Sequence, residues 1–101
     1  MRIYRLMYFS ELDWKLKGFE RADQANKKYN AILIDKKTKK ERRVPFGDSR
    51  FEQYKDSTGL GLYSKQDHGD KKRRALYHHR HMKDIKPLHY SPGYFSMRYL
   101  W

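Results

Sequence analysis

The chain contains no cysteine, and this absence excludes several kinds of chemistry at once. There are no disulfides, no thiolate zinc sites and no cysteine nucleophile. A reducing compartment is compatible with this composition but not identified by it, because a cysteine-free chain functions in any redox environment.

Long apolar runs are also missing, since no stretch approaches the roughly 18 residues of a membrane span. The apolar run at the start is broken by Arg5 and followed by Glu11 and Asp13. We therefore expect no cleaved signal peptide.

Acidic residues are scarce relative to basic ones. The chain has 24 Lys and Arg against 12 Asp and Glu, a net charge of +12 over 101 residues. Aromatic residues make up 16% of the chain, which separates it from lysine-rich disordered tails, because such tails lack rings. A cationic chain of this length with many rings indicates one small folded domain whose partner is a polyanion.

The first third of the chain is nearly balanced in charge. Residues 1–35 have a balance of +2, and residues 36–101 have a balance of +10. The surface that faces a polyanion is therefore expected in the last two-thirds.

Residues 2–9 are predicted as a strand from their Ile, Tyr, Leu and Phe content. Ser10 then resembles a helix N-cap, with apolar residues at helical spacing up to Phe19, so a helix is expected there.

A β-hairpin is predicted at about residues 29–46. Residues 29–34 form a short apolar run bounded by charges, which is typical of a strand. Residues 42–46 supply the returning strand. Because Pro45 lacks a backbone donor, this strand is expected to end there or to lie at a sheet edge.

Two helices are predicted in the second half of the chain. Asp70 is a suitable N-cap for a basic helix at about residues 70–82. Ser91 followed by Pro92 is typical of the start of a short C-terminal helix at about residues 92–101.

The whole chain is thus predicted to be a single small α+β domain. Aliphatic residues are few, so the expected core is rich in rings. Its expected members are Trp14, Phe19, Tyr29, Ile32, Phe46, Tyr77, Phe95 and Trp101.

Two runs of cations are candidate polyanion-binding sites. The first lies at the predicted hairpin turn, where it would grip phosphates. Alternatively, it is a solvated turn whose lysines discourage edge-to-edge aggregation. The second lies at the start of the basic helix, where it would contact nucleic acid or an acidic capsid surface. Alternatively, it is the polar face of an ordinary amphipathic helix, with Leu76, His79 and Met82 on one side and Arg73, Tyr77 and Arg80 on another. The candidate residues are Lys36, Lys37, Lys39, Lys40, Arg42, Arg43, Lys71, Lys72, Arg73, Arg74 and Arg80.

Signals for catalysis or for a metal are weak. The histidines at 78, 79 and 81 lack the i, i+4 spacing that suits a helical metal site, so no metal and no cofactor are expected. The acidic residues form no convincing pair, and the expected protein is not an enzyme. A small metal-dependent nuclease using Asp67, His68 and Asp70 stays open as an alternative.

The order of motifs along residues 28–101 is distinctive, although each motif alone is short. The motifs are Lys28-Tyr29-Asn30-Ala31-Ile32-Leu33, Val44-Pro45-Phe46-Gly47-Asp48, Tyr54-Lys55-Asp56, Leu62-Tyr63-Ser64, Asp67-His68-Gly69-Asp70-Lys71-Lys72-Arg73-Arg74, Tyr77-His78-His79-Arg80-His81, Tyr90-Ser91-Pro92 and Tyr94-Phe95-Ser96-Met97-Arg98-Tyr99-Leu100-Trp101. This order resembles a family of short basic proteins, without an assigned activity, found in large (giant) DNA viruses and viral metagenomes. The resemblance leaves out residues 1–27, an N-terminal extension. It implies a viral setting and supplies no mechanism.

The resemblance and the charge together predict a non-enzymatic viral structural protein. We expect a minor virion or capsid-associated component that contacts nucleic acid, DNA rather than RNA, or an acidic capsid surface. The implied location is the virion, and the host cytoplasm or nucleus during infection. An RNA-binding protein of a ribonucleoprotein, such as a ribosome, is the first alternative, and the nuclease is the second. The oligomeric state is left open.

Overall fold

The computed structural model describes residues 9–85 and 89–101, and it has the predicted α+β architecture in one small domain. A three-stranded antiparallel sheet, a two-stranded pairing and two α-helices make up the fold. The elements are β1 (Phe9–Ser10), β2 (Trp14–Arg21), β3 (Lys27–Asp35), β4 (Glu41–Asp48), α1 (Lys71–His81), β5 (His89–Tyr90) and α2 (Pro92–Tyr99), with short 3₁₀ turns at Ser64–Gln66 and Met82–Asp84.

The sheet is a meander in which β3 lies between β2 and β4. The predicted hairpin is confirmed as β3 and β4, with Tyr29 opposite Phe46 and Ala31 opposite Val44. Its turn is fixed by Asp35, whose carboxylate accepts hydrogen bonds from two turn amides. β4 is an edge strand of the three-stranded sheet, which is one of the two outcomes expected from Pro45, and it continues past Pro45 to Asp48.

The helix expected from residue 10 to 19 is wrong, because most of this segment is the strand β2. Leu16 pairs with Leu33 and Phe19 pairs with Ala31, so both side chains face the buried side of β3. A register shift between Leu16 and Gly18 lets these two apolar residues share one face despite their spacing of three. Pairing with an apolar strand outweighs the weak local helical pattern. Of the strand expected at 2–9, only the last residue lies within the described residues, where it begins β1.

The core lies between one face of the sheet and α2. Tyr29, Phe46 and Phe95 are fully buried, as expected, and seven residues form the buried cluster. Ile32 was expected in the core but is only half-buried, because it alternates with Ala31 and Leu33 and so faces the opposite side of the sheet. The buried cluster comprises Tyr29, Ala31, Leu33, Val44, Phe46, Phe95 and Leu100.

Trp14, Phe19 and Trp101 were also expected in the core. All three are half-buried and pack against the edge of the buried cluster. Tyr77 is half-buried too, and its ring stacks on that of Trp101. Tyr77 and Trp101 therefore dock α1 onto the rest of the protein instead of filling the centre of the core.

Both helix N-caps are confirmed. The Asp70 carboxylate accepts hydrogen bonds from the second and third amides of α1, and the Ser91 hydroxyl accepts one from Tyr94. α2 packs on the sheet and buries Phe95. α1, in contrast, buries none of its residues, and Leu76 on its expected packing side is 55% exposed. None of the helices in the described ranges has the length and apolar character needed to cross a bilayer.

Candidate nucleic-acid interface

The surface of α1 is cationic in its first turn and again near its end. The helix has eleven residues and no acidic one, and none of them is buried. Cations in the first turn of a helix oppose its dipole, so their placement does not stabilise the helix. The five exposed cations of this helix form what we call the α1 surface: Lys71, Lys72, Arg73, Arg74 and Arg80.

A few contacts hold α1 against the rest of the protein. The Tyr77 ring stacks on Trp101 with centroids 4.3 Å apart and planes 3° from parallel. Arg74 Nε donates to the Trp101 carbonyl at 2.7 Å, and its guanidinium lies 5.1 Å from the centroid of the Tyr54 ring. Arg73 pairs with Glu52 at 3.0 Å. These contacts orient α1 while leaving most of its surface to solvent.

Three cations of the α1 surface have no partner among the described residues. Lys71, Lys72 and Arg80 are exposed, and no hydrogen bond or ion pair occupies their side chains within the described part of the chain. They are therefore available to contact an external anion without breaking an internal interaction.

A cleft of about 610 Å³ opens between α1, the end of α2 and the end of the sheet at which β3 begins. We refer to this space as the cleft. Its lining includes Lys28, Arg50, Phe51, Arg73, Arg80 and Trp101. Cations and rings thus meet in one concave surface beside the α1 surface, which is the combination that binds phosphates and bases.

Lys28 forms the deepest charged part of the cleft. It is only 2% exposed, and its ammonium donates to the Phe51 carbonyl at 2.8 Å and to Gln53 Oε1. Burial lowers the pKa of Lys28 to about 8, although the carboxylates of Asp56, Asp48 and Asp67 oppose this shift from a longer range. Burial destabilises the charged form of an amine, and the two hydrogen-bond acceptors of the Lys28 ammonium only partly compensate for this loss of solvation.

Gly47 gives Lys28 the space it occupies. Its φ is +78°, a backbone conformation that side chains rarely adopt. A Cβ at this position would lie 2.8 Å from Leu100 Cδ1 and 3.2 Å from Lys28 Cβ. The Phe-Gly step at residues 46–47 therefore lets α2 and Lys28 approach β4 closely.

A buried polar network connects the cleft to the loop that precedes α1. Gln53 Nε2 donates to Asp67 Oδ1 at 2.6 Å and to the Tyr63 carbonyl at 2.8 Å. The Tyr29 hydroxyl donates to Asp56. Burial alone would raise the pKa of Asp56, but hydrogen bonds from Tyr29, Thr58 and backbone amides together lower it. The network fixes the loop and so fixes where α1 begins.

The hairpin tip, defined as residues 36–40, lies far from the cleft. The strand β3 has nine residues, and eight steps of about 3.3 Å place its two ends roughly 26 Å apart. The Lys36 ammonium donates to the Glu11 carbonyl at 3.0 Å. Lys37, Lys39 and Lys40 are exposed, and their side chains form no hydrogen bond or ion pair among the described residues, although Lys37 interacts electrostatically with Asp35. The structure therefore separates the two cationic runs instead of joining them.

The remaining two candidates of the hairpin run lie on β4. Arg43 pairs with Glu20 at 3.0 Å and with Glu41 at 3.2 Å across the outer face of the sheet. The hydrogen bond from Asn30 is the main cause that lowers the pKa of Glu20, followed by that from Arg43. Arg42 is exposed and donates to the Glu41 carbonyl at 2.9 Å. The charge of Arg43 is thus balanced within the sheet.

The residues of the nuclease alternative are hydrogen-bonded into the fold. Asp67 Oδ1 accepts from Gln53 and from the Asp56 amide, and Asp70 caps α1. His68 Nδ1 accepts from the Asp70 amide at 2.9 Å. Within residues 9–85 and 89–101, no group of three or more His, Asp or Glu side chains is placed to hold a metal ion.

Sequence reasoning missed Lys28, Arg50 and Phe51 as lining residues of the cleft. None of the three belongs to a long cationic run, and their proximity depends on the pairing of β3 with β4. The motif that contains Phe46 and Gly47 was visible in the sequence, but its role in making room for a lysine depends on tertiary contacts. Comparison with protein-family models, with curated proteins and with solved structures found no match for this chain.

Proposed function

We propose that this protein is a non-enzymatic nucleic-acid-binding protein whose α1 surface contacts the phosphate backbone, and that it acts as a minor component of a large DNA virus particle. The observation that supports binding is α1 itself, a helix of eleven residues with five Lys and Arg, no acidic residue and no buried residue. Stability does not require such a helix surface, because cations in the first turn oppose the dipole and the core does not include it. The viral setting rests on the resemblance of residues 28–101.

The α1 surface is the principal contact in this proposal, and the hairpin tip is a second, weaker one. Lys71, Lys72 and Arg80 are free to bind phosphates, and the adjacent cleft adds rings. The tip offers lysines alone, each on a flexible stem, with no concave surface beside them. DNA is proposed over RNA, since the resemblance is to proteins of DNA viruses.

A salt titration tests the phosphate contacts. Binding of the full chain to duplex DNA is measured by fluorescence anisotropy between 50 and 200 mM salt. Three to five phosphate contacts give a slope of log K against log salt of about −3 to −4.5. A slope near zero would remove the proposal. Tighter binding to a structured RNA than to duplex DNA at equal salt would indicate that the partner is an RNA and not the DNA genome.

A pair of matched variants locates the contact. Lys71→Gln with Lys72→Gln removes two charges from α1, and Lys37→Gln with Lys40→Gln removes two from the tip. All four residues are exposed, and none has a described side-chain partner. We expect the α1 variant to make the salt slope shallower by about 2 and the tip variant by less than about 1. The reverse result would assign the principal contact to the tip.

A further inference from the structure

One lysine in the lining of the cleft is almost completely buried. Lys28 is 2% exposed, yet its side chain lines this cavity. An ammonium group has three N–H donors, and that of Lys28 donates to two acceptors, the Phe51 carbonyl and Gln53 Oε1. The third donor has no hydrogen-bond acceptor among the described residues, and the Tyr63 ring centroid lies 5.9 Å from the ammonium.

Four of the charged side chains around the cleft cancel in pairs. Arg50 forms two hydrogen bonds with Asp48, at 2.8 and 3.0 Å. Arg73 pairs with Glu52 at 3.0 Å. These pairs line the cleft and leave it neither more positive nor more negative.

The two remaining charges of the lining are both positive. Lys28 and Arg80 have no carboxylate within ion-pair distance among the described residues. An excess of two charges matches a phosphate monoester, which has a charge of about −1.5 to −2 at pH 7. An internal phosphodiester of a nucleic acid has a single charge and would leave half of the excess unmatched.

We propose that the cleft binds the phosphate monoester of a nucleoside, either at the end of a nucleic-acid strand or in a free nucleotide. Lys28 and Arg80 donate to the phosphate oxygens, and the 63% exposed Phe51 ring offers an apolar surface to the base. This inference rests on the proposed function, because α1 brings the strand to the mouth of the cleft. It goes further in naming the end of the strand, and not its backbone, as the ligand of Lys28.

Binding of two otherwise identical strands tests the inference. The full chain is titrated with one short single-stranded DNA that has either a 5′-phosphate or a 5′-hydroxyl group. Two added charge-assisted hydrogen bonds predict at least about tenfold tighter binding of the phosphorylated strand. In parallel, adenosine monophosphate is expected to compete with that strand, and adenosine is not.

Two variants of α1 distinguish the contribution of the cleft to strand binding from that of the rest of the helix. Arg80→Gln removes a cation of the cleft and is expected to abolish the preference for the phosphorylated strand. Lys72→Gln removes an exposed cation that does not line the cleft. The binding of both strands is therefore expected to weaken equally, and the preference for the phosphorylated strand is expected to persist. An Arg80 variant that keeps the full preference would contradict the proposed role of Arg80.

A measurement on the unmodified protein avoids any effect of substitution on folding. The pKa of Lys28, followed by NMR of its side chain, is expected to rise from about 8 when adenosine monophosphate is added, because an anion stabilises the ammonium. Binding of the mononucleotide without a strand preference would assign the ligand to free nucleotides. The inference is overturned if neither a strand preference nor mononucleotide binding is found. Salt-dependent binding of duplex DNA would still support the proposed role of the α1 surface in that case. The two proposals are therefore tested independently.

Discussion

The two ends of the sheet both have many cations, but they differ in what surrounds those cations. At the hairpin tip, lysines extend from a turn into solvent, and the side chains of Lys37, Lys39 and Lys40 form no hydrogen bond or ion pair among the described residues. At the other end, cations surround a cleft with a buried lysine, three rings and a polar network. Equal density of charge in the sequence thus corresponds to a solvated turn in one place and a structured concave surface in the other.

The largest expected difference concerns stability. Gln53→Leu removes an acceptor from the buried ammonium of Lys28 and a donor from both Asp67 and the Tyr63 carbonyl, so three polar groups lose a buried partner. We expect the free energy of unfolding to fall by about 2–4 kcal/mol. Urea denaturation measures it. Gln24→Leu, the same change at an exposed position, serves as the control and is expected to have little effect. A small effect at Gln53 would mean that the cleft end is no more structured than the tip.

Alkaline pH is expected to stabilise the cleft end. The folded pKa of Lys28, about 8, is below the ordinary value of 10.5. Between these values the unfolded chain binds a proton that the folded protein has lost, so stability rises with pH, by at most about 1.4 kcal/mol per unit. The rise is limited above pH 10, where the raised pKa of Tyr29, caused first by burial, has the opposite effect.

Unfolding in urea at several pH values between 8 and 10 measures this rise. Lys28→Met removes the titrating amine and is expected to flatten the pH profile. Lys37→Met at the tip is the matched control and is expected to keep the profile of the parent protein. A flat profile in the parent protein would show that Lys28 is not desolvated.

The first turn of α1 and the turn of the hairpin are each held by an aspartate. Asp70 accepts from the amides of Lys72 and Arg73, and Asp35 accepts from those of Lys37 and Thr38. Asp70→Ala is expected to lower the Tm by several degrees and to weaken duplex binding, because the start of α1 frays. Asp35→Ala changes the same charge and is expected to leave duplex binding within about twofold. Hydrogen exchange of the α1 amides distinguishes fraying from a simple change of charge.

The smallest effect is expected on the outer face of the sheet. Arg43→Gln breaks the exposed pairs with Glu20 and Glu41. Exposed ion pairs contribute little, so the Tm is expected to fall by less than about 3 °C and the difference to shrink at 1 M salt. Duplex affinity should change less than in the Lys71 and Lys72 variant. A larger loss of affinity would place nucleic acid on this face.

Local chemistry in the sequence was enough to predict the hairpin and both helix starts. Pro45 identified an edge strand, and the caps at Asp70 and Ser91 depend only on neighbouring amides. The strand β2 was missed because the register shift near Gly18 gives its apolar residues a helical spacing. Pairing with β3 decides its structure, and pairing is not a local property.

The candidate site was predictable only in part. The cations of α1 were visible as a run, whereas Lys28 precedes an apolar strand by one residue and has no signal of its own. Its burial depends on Gly47, Gln53 and Leu100, which come from three separate segments of the chain. The perturbed group of the site therefore arises from tertiary contacts.

The absence of buried residues in α1 has a consequence for variation in this protein. Substitutions at exposed surface positions usually change stability little, and the outward positions 71, 72 and 79 of α1 are of this kind. Arg73, Arg74 and Tyr77, in contrast, hold the helix against the rest of the protein. The exposed positions of α1 can therefore vary to suit another partner while these three residues, the sheet and α2 stay unchanged.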